Sequence, residues 1–120
     1  MKFLLMIYGN EEKWSTIPAE NWPSEIAKQD AYNQKYLATG ELLGGYGLAD
    51  AAAARLVTRR DGVPEISDGP YLETKEYMAS FYLIDVESAE RAYELAAEMP
   101  WADQNPTEVW PVLHEFAPEV

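Results

Sequence analysis

Residues 2–8, Lys2-Phe3-Leu4-Leu5-Met6-Ile7-Tyr8, are apolar at both alternating sets of positions. Phe3, Leu5 and Ile7 form one set, and Leu4, Met6 and Tyr8 the other. Successive side chains of a strand point to opposite faces, so this pattern predicts a strand covered on both sides. Residues 77–86 repeat the pattern, with Ala79, Phe81 and Leu83 against Met78, Tyr82 and Ile84. Gly9-Asn10 closes the first strand, and residues 10–21, polar and carrying Pro18, read as a loop.

Trp22, Ile26, Tyr36 and Leu37 then recur on one side at helical spacing. Pro23 suits the first turn of that helix and Gly40 its stop. Asn33 interrupts the apolar stripe, with Gln29 and Asp30 beside it. Glu41 to Leu48 predicts a glycine-rich strand through Gly44-Gly45-Tyr46-Gly47. Arg55–Arg60 predicts another, ended by the turn signal Asp61-Gly62. Residues 66–70 read as a further turn. Ser88 is placed to cap a second helix, whose expected buried stripe is Ala89, Ala92, Tyr93, Ala96 and Met99, with Pro100 as its stop. Thr107 to Phe116 predicts a last strand, in which Pro111 marks an edge or a bulge.

The order strand, helix, strands, strand, helix, strand is a split βαβ arrangement. It predicts one α+β domain over residues 1–120, a ferredoxin-like antiparallel sheet with two helices on one face. Strands apolar on both sides then leave one sheet face to be covered. A second copy of the chain is the simplest cover and predicts a homodimer. A loop or the C-terminal tail is the other possibility.

Composition narrows the chemistry. Hydrophobic residues make up 48% of the 120, enough for a real core. The lack of cysteine excludes disulfides, a thiol nucleophile and thiolate zinc sites, and His114 is the sole histidine, so no metal or other cofactor is expected. A net charge of -12 repels phosphate backbones and anionic lipids, so neither nucleic acid nor membrane is an expected partner. The opening apolar run is too short for a signal peptide and no run spans a bilayer, which predicts a soluble cytoplasmic protein.

The stretch Asp68-Gly69-Pro70-Tyr71-Leu72-Glu73-Thr74-Lys75-Glu76, followed by Phe81 to Val86, resembles the YCII-related proteins of the DGPF subgroup, with Tyr71 for the usual Phe. Leu4 to Gly9 and Gly40 to Leu48 are similar to theirs as well. The resemblance implies a ferredoxin-like fold and a dimeric α/β barrel in which two sheets meet face to face. It implies no firm activity. Genes of the subgroup often neighbour those of extracytoplasmic-function sigma factors, which implies a possible functional link to one. Some members of the wider family carry a His on the first helix and an Asp after the second, proposed as a catalytic pair. Those positions fall on Gln29 and Met99 here. Neither side chain titrates, so the pair's chemistry does not carry over.

Two groups of residues are candidates for a site. The first is a cleft between the first helix and the sheet, lined by Tyr8, Gln29, Asp30, Asn33 and Tyr82, in which polar groups would orient a ligand. The plain alternative for Asp30 and Asn33 is bonding to loop backbone or a place at a dimer rim. The second is Asp68, Glu73, Lys75 and His114. Lys75 between carboxylates could hold a small anion or be an ordinary surface ion pair. His114, expected on a strand face with Trp110, Val112 and Phe116, could be a base or a packed residue. Asp68-Gly69-Pro70 is expected to be a structural turn with Gly69 at positive φ. Two functions follow: a small-molecule-binding or regulatory dimer, or a cofactor-free isomerase, lyase or oxygenase acting on a small organic molecule.

Overall fold

The structure is a computed structural model that describes residues 1–9, 15–69 and 77–116. Among the described residues, six strands and two α-helices follow one another: β1 (Lys2–Gly9), α1 (Trp22–Thr39), β2 (Leu42–Gly47), β3 (Arg55–Arg60), β4 (Val63–Asp68), β5 (Tyr77–Asp85), α2 (Ala89–Ala97) and β6 (Thr107–Pro111). One antiparallel sheet has the order β2-β5-β1-β6, the ferredoxin-like arrangement, with both helices on one face. β3 and β4 form a separate hairpin.

Residue alternation decides which face holds the core. Phe3, Leu5, Tyr82, Ile84 and Leu42 point toward the helices and are buried there with Tyr32, Tyr36, Ala92 and Leu95. Leu5, Ile84 and Leu95 are fully buried, each contributing roughly 1.5–3 kcal/mol relative to exposure. On the opposite face Leu4 pairs with Leu83 and Trp110, and Met6 with Phe81 and Glu108. On that second face Tyr46 and Trp110 are exposed, and Leu4, Met6, Phe81 and Leu83 are partly buried.

α1 ends as its sequence dictates. Gly40 adopts a left-handed φ of 81° and its N–H donates to the Leu37 carbonyl at 3.1 Å. Ser88 caps α2 by accepting the Arg91 N–H at 3.1 Å. The helices are tied together by the Tyr32 hydroxyl, which donates to the Leu95 carbonyl at 2.7 Å, and by Tyr36, which donates to Glu98. Arg91 grips Glu41 with two bonds of 2.8 and 2.9 Å, fixing α2 to the start of β2.

Several expectations are corrected. Ile66 to Asp68 is not a turn but the end of β4, paired with Val57 to Arg55 across a tight turn at Asp61 and Gly62. Positive φ among the described residues is confined to Gly40, Asp61 and Gly62, so Gly69 is not left-handed. It is needed for closeness instead: a Cβ there would lie 3.2–3.3 Å from the Ala54–Arg55 backbone. Within α1 the buried rings are Tyr32 and Tyr36, while Ile26 and Leu37 stay 56% and 49% exposed. In α2, Leu95 is buried where Tyr93 was expected, because α2 meets the sheet along Ala92, Leu95, Ala96 and Met99. The helix ends at Ala97, before Pro100. β6 stops at Pro111, followed by one last bond from the Val112 N–H to the Lys2 carbonyl at 2.9 Å, so His114 and Phe116 lie beyond the strand. No helix of the described residues is long and apolar enough to cross a membrane.

Candidate functional site

A cleft of about 830 Å³ opens between α1 and the helix-facing side of β2 and β5. Its origin is the composition of β2. At the positions facing α1 the strand carries Gly45 and Gly47, opposite Tyr82 and Ser80. Where a sheet normally projects side chains, there are none. A Cβ on Gly45 would lie 2.7 Å from the Tyr82 ring, so the phenol rests on bare backbone. Nothing lies within 4 Å of the Cβ position of Gly47. A bulge in β5, where Ile7 pairs with Ser80 but Tyr8 with Met78, brings Ala79 to the same cleft.

The opposite wall is one side of α1, Trp22, Ile26, Gln29, Asn33 and Leu37, which takes three of the four residues of the expected apolar stripe while the fourth, Tyr36, is in the core. Trp22, Ile26 and Leu37 line the cleft rather than the core, and Ile26 and Leu37 remain exposed there. Gln29, Asn33 and Tyr82 form a closed polar triangle. Tyr82 Oη donates to Asn33 Oδ1 at 2.9 Å, and Gln29 Nε2 donates to Asn33 Oδ1 at 3.3 Å and to Tyr82 Oη. Gln29 Oε1 and Asn33 Nδ2 take no part in this triangle, leaving one acceptor and one donor group turned to other uses. Burial raises the Tyr82 phenol above its ordinary pKa, opposed by the bonds from Asn33 and Gln29, so the hydroxyl is neutral at physiological pH and acts as a donor.

Tyr8 and Asp30 are not part of this constellation. Tyr8 belongs to the alternate face of β1, where its hydroxyl lies 3.8 Å from Met6 Sδ and where burial, then Glu108, raises its pKa. Asp30 is exposed on α1 and reaches Tyr82 only through its field. In the second candidate group, Asp68 sits exposed at the end of β4 and His114 exposed past β6. Glu73 and Lys75 lie outside the described residues. No group of three His, Cys, Asp or Glu residues able to hold a metal occurs among the described residues.

Three features of the cleft have little signal in the sequence. Asn105, 3% exposed, lines it from the segment after α2. Glu25 lines it from the first turn of α1, paired with Lys28 at 3.3 Å. Trp22 and Trp101, from opposite ends of the chain's helical layer, bring their rings to 6.4 Å at its border. Only Gly45 and Gly47 could have been anticipated, as glycines at alternate strand positions.

A curated relative, an uncharacterized protein of Rhizobium meliloti (strain 1021), is 29% identical over 107 residues, covering 89% of this chain and 85% of that protein. In fold the chain is similar to 5-chloro-2-hydroxyhydroquinone dehydrochlorinase from Burkholderia phenoliruptrix AC1100, solved in complex with 2,5-dihydroxybenzoquinone, with a TM-score of 0.50, 14% identity and 96% of each chain covered. The YCII-related domain family matches residues 1–116. With nearly the whole length matched, the chain belongs to the YCII-related domain family.

Proposed function

We propose that the protein is a small-molecule-binding module whose ligand occupies the cleft between α1 and the β2–β5 floor. The observation that carries this reading is the cleft itself: about 830 Å³ of mostly apolar wall with one convergent polar triangle, Gln29–Asn33–Tyr82. The walls favour an apolar body. The triangle's unused amide groups favour a hydroxyl or carbonyl oxygen on it. Glu25 and the chain's net charge of -12 disfavour an anion. The ligand class is therefore a small, uncharged, oxygen-bearing organic molecule.

Gly47→Leu tests this. The site is open, on an edge strand and not at positive φ, so the fold should tolerate the side chain. The same side chain would fill the cleft. Titration calorimetry with a naphthol should give binding to the unaltered protein and at least tenfold weaker binding to Gly47→Leu at unchanged melting temperature. Equal affinity for both would contradict the reading.

A second reading is favoured by one observation: the dehydrochlorinase of similar fold is an enzyme, and here Glu25 and the Asn33 amide line the same cleft. In that case the protein is a cofactor-free isomerase, lyase or oxygenase, with Glu25 as base and the Asn33 Nδ2 amide as donor to a developing oxyanion. Turnover lost in Glu25→Gln with binding kept would favour it over binding alone.

A further inference from the structure

We infer that the Gln29–Asn33–Tyr82 triangle selects ligands by hydrogen-bond polarity. The group it takes must donate as well as accept, as a hydroxyl or an N–H beside a C=O does, and a group that only accepts, such as an ester or an ether, is rejected. The inference rests on the cleft being a binding site and adds the chemical class of the ligand's polar end. Each amide of the triangle is half used. Asn33 Oδ1 accepts from Tyr82 Oη at 2.9 Å and from Gln29 Nε2 at 3.3 Å, and Gln29 Nε2 also donates to Tyr82 Oη. Among the described residues no hydrogen bond engages Gln29 Oε1 or Asn33 Nδ2. Nor is any side-chain nitrogen or oxygen of the partly or fully buried residues among them both shut off from solvent and unpartnered. These two atoms are therefore open to solvent, and both residues, half-buried, line the cleft. The cleft wall thus offers one acceptor and one donor from residues a single helical turn apart.

Turning the amides over does not change what is offered. If Asn33 alone turned, its Nδ2 would face Gln29 Nε2, donor against donor. If Gln29 alone turned, two carbonyl oxygens would meet at the same 3.3 Å. Only turning both restores the triangle: Asn33 Nδ2 then donates to Gln29 Oε1 and to Tyr82 Oη, and the Tyr82 hydroxyl donates to Gln29 Oε1. The outward pair becomes Gln29 Nε2 and Asn33 Oδ1, again one donor and one acceptor. Both settings ask the same of a ligand. A ligand that only accepts satisfies the outward N–H but covers the outward carbonyl without a donor for it. An acceptor stripped of water and left unpaired is costly, which is how a polar site rejects an analogue lacking an N–H or O–H.

The test compares a quinolinone lactam with coumarin, the lactone of the same bicyclic shape, in which a ring oxygen replaces the N–H beside the carbonyl. Both are titrated by calorimetry into the unaltered protein and into Gln29→Met, with melting temperatures recorded for each. Methionine keeps the length and helix propensity of glutamine but supplies neither amide group. The polarity rule predicts that the quinolinone binds about tenfold or more tightly than coumarin, and that Gln29→Met removes most of that preference. Comparable affinity of the unaltered protein for both would overturn the rule while leaving the cleft as a binding site. Binding of neither would overturn both. The preference measured on the unaltered protein decides the matter even where the substitution lowers the melting temperature.

Discussion

At the scale of single residues, two glycines create the cleft, and they separate fold from function. Gly45→Val places atoms into the Tyr82 ring, only 2.7 Å from the Cβ position, and urea unfolding should show a loss of roughly 1–3 kcal/mol, as for an overpacked core. Gly47→Leu should leave the unfolding midpoint unchanged within about 0.5 kcal/mol. A harmless Gly45→Val would mean that Tyr82 does not rest on β2. In the sequence the break in the α1 stripe marks Asn33, with Gln29 and Asp30 beside it, because polar side chains inside an apolar stripe must face something. The same logic put Asp30 in the cleft, but the structure leaves it exposed on α1 and outside the lining. Tyr8 was misplaced for another reason. Alternation separates it from Phe3 and Leu5 but does not say which set faces the helices.

At the scale of elements, caps and ion pairs fix the helices that wall the cleft. Ser88→Ala should cost about 1 kcal/mol by removing the bond to the Arg91 N–H, and an unaltered unfolding midpoint would show that the cap is idle. The Arg91 guanidinium holds the Glu41 carboxyl below its ordinary value of 4.5. A carboxyl whose folded pKa lies under its unfolded one adds stability above the unfolded value and loses it as pH falls through the folded value. Glu41→Gln should therefore destabilise the protein near neutral pH, and the difference should fade as pH drops below about 4.5. A difference constant down to about pH 3 would contradict the assignment. Elements with long clean periodicity, β1, α1, β5 and α2, were legible in the sequence. β4 was not, because Pro64 and the Asp68-Gly69 pair carry turn chemistry inside a two-stranded hairpin. The end of β6 was overrun because apolar residues continue past Pro111, while hydrogen bonding to β1 ends one residue later, with the Val112 N–H on the Lys2 carbonyl.

At the scale of the whole molecule, the sheet face away from the helices presents Leu4, Met6, Phe81, Leu83, Tyr46 and Trp110, the last two 57% and 54% exposed. Such a face on a ferredoxin-like sheet is what a second copy would cover, and a homodimer is proposed on that ground. Light scattering at micromolar concentration should give twice the 13.6 kDa chain mass, and Phe81→Asp should halve it. A monomer mass for the folded, unaltered protein would refute the dimer but not the cleft. The two-sided strands announced this face in the sequence; the cleft was foreshadowed by the polar break in α1 and by the alternate glycines of β2, since empty volume arises from side chains that are missing.

The central claim is that the volume between α1 and the glycine floor of β2 is where a ligand sits. Titrating a naphthol into nitrogen-15-labelled protein and following the backbone amides by NMR tests it most directly. Saturable shifts concentrated at Gly45, Gly47, Ser80, Gln29 and Asn33, with the β3–β4 hairpin unmoved, are the predicted result. Shifts confined to the open sheet face or to the hairpin, or none at all at millimolar naphthol, would contradict it.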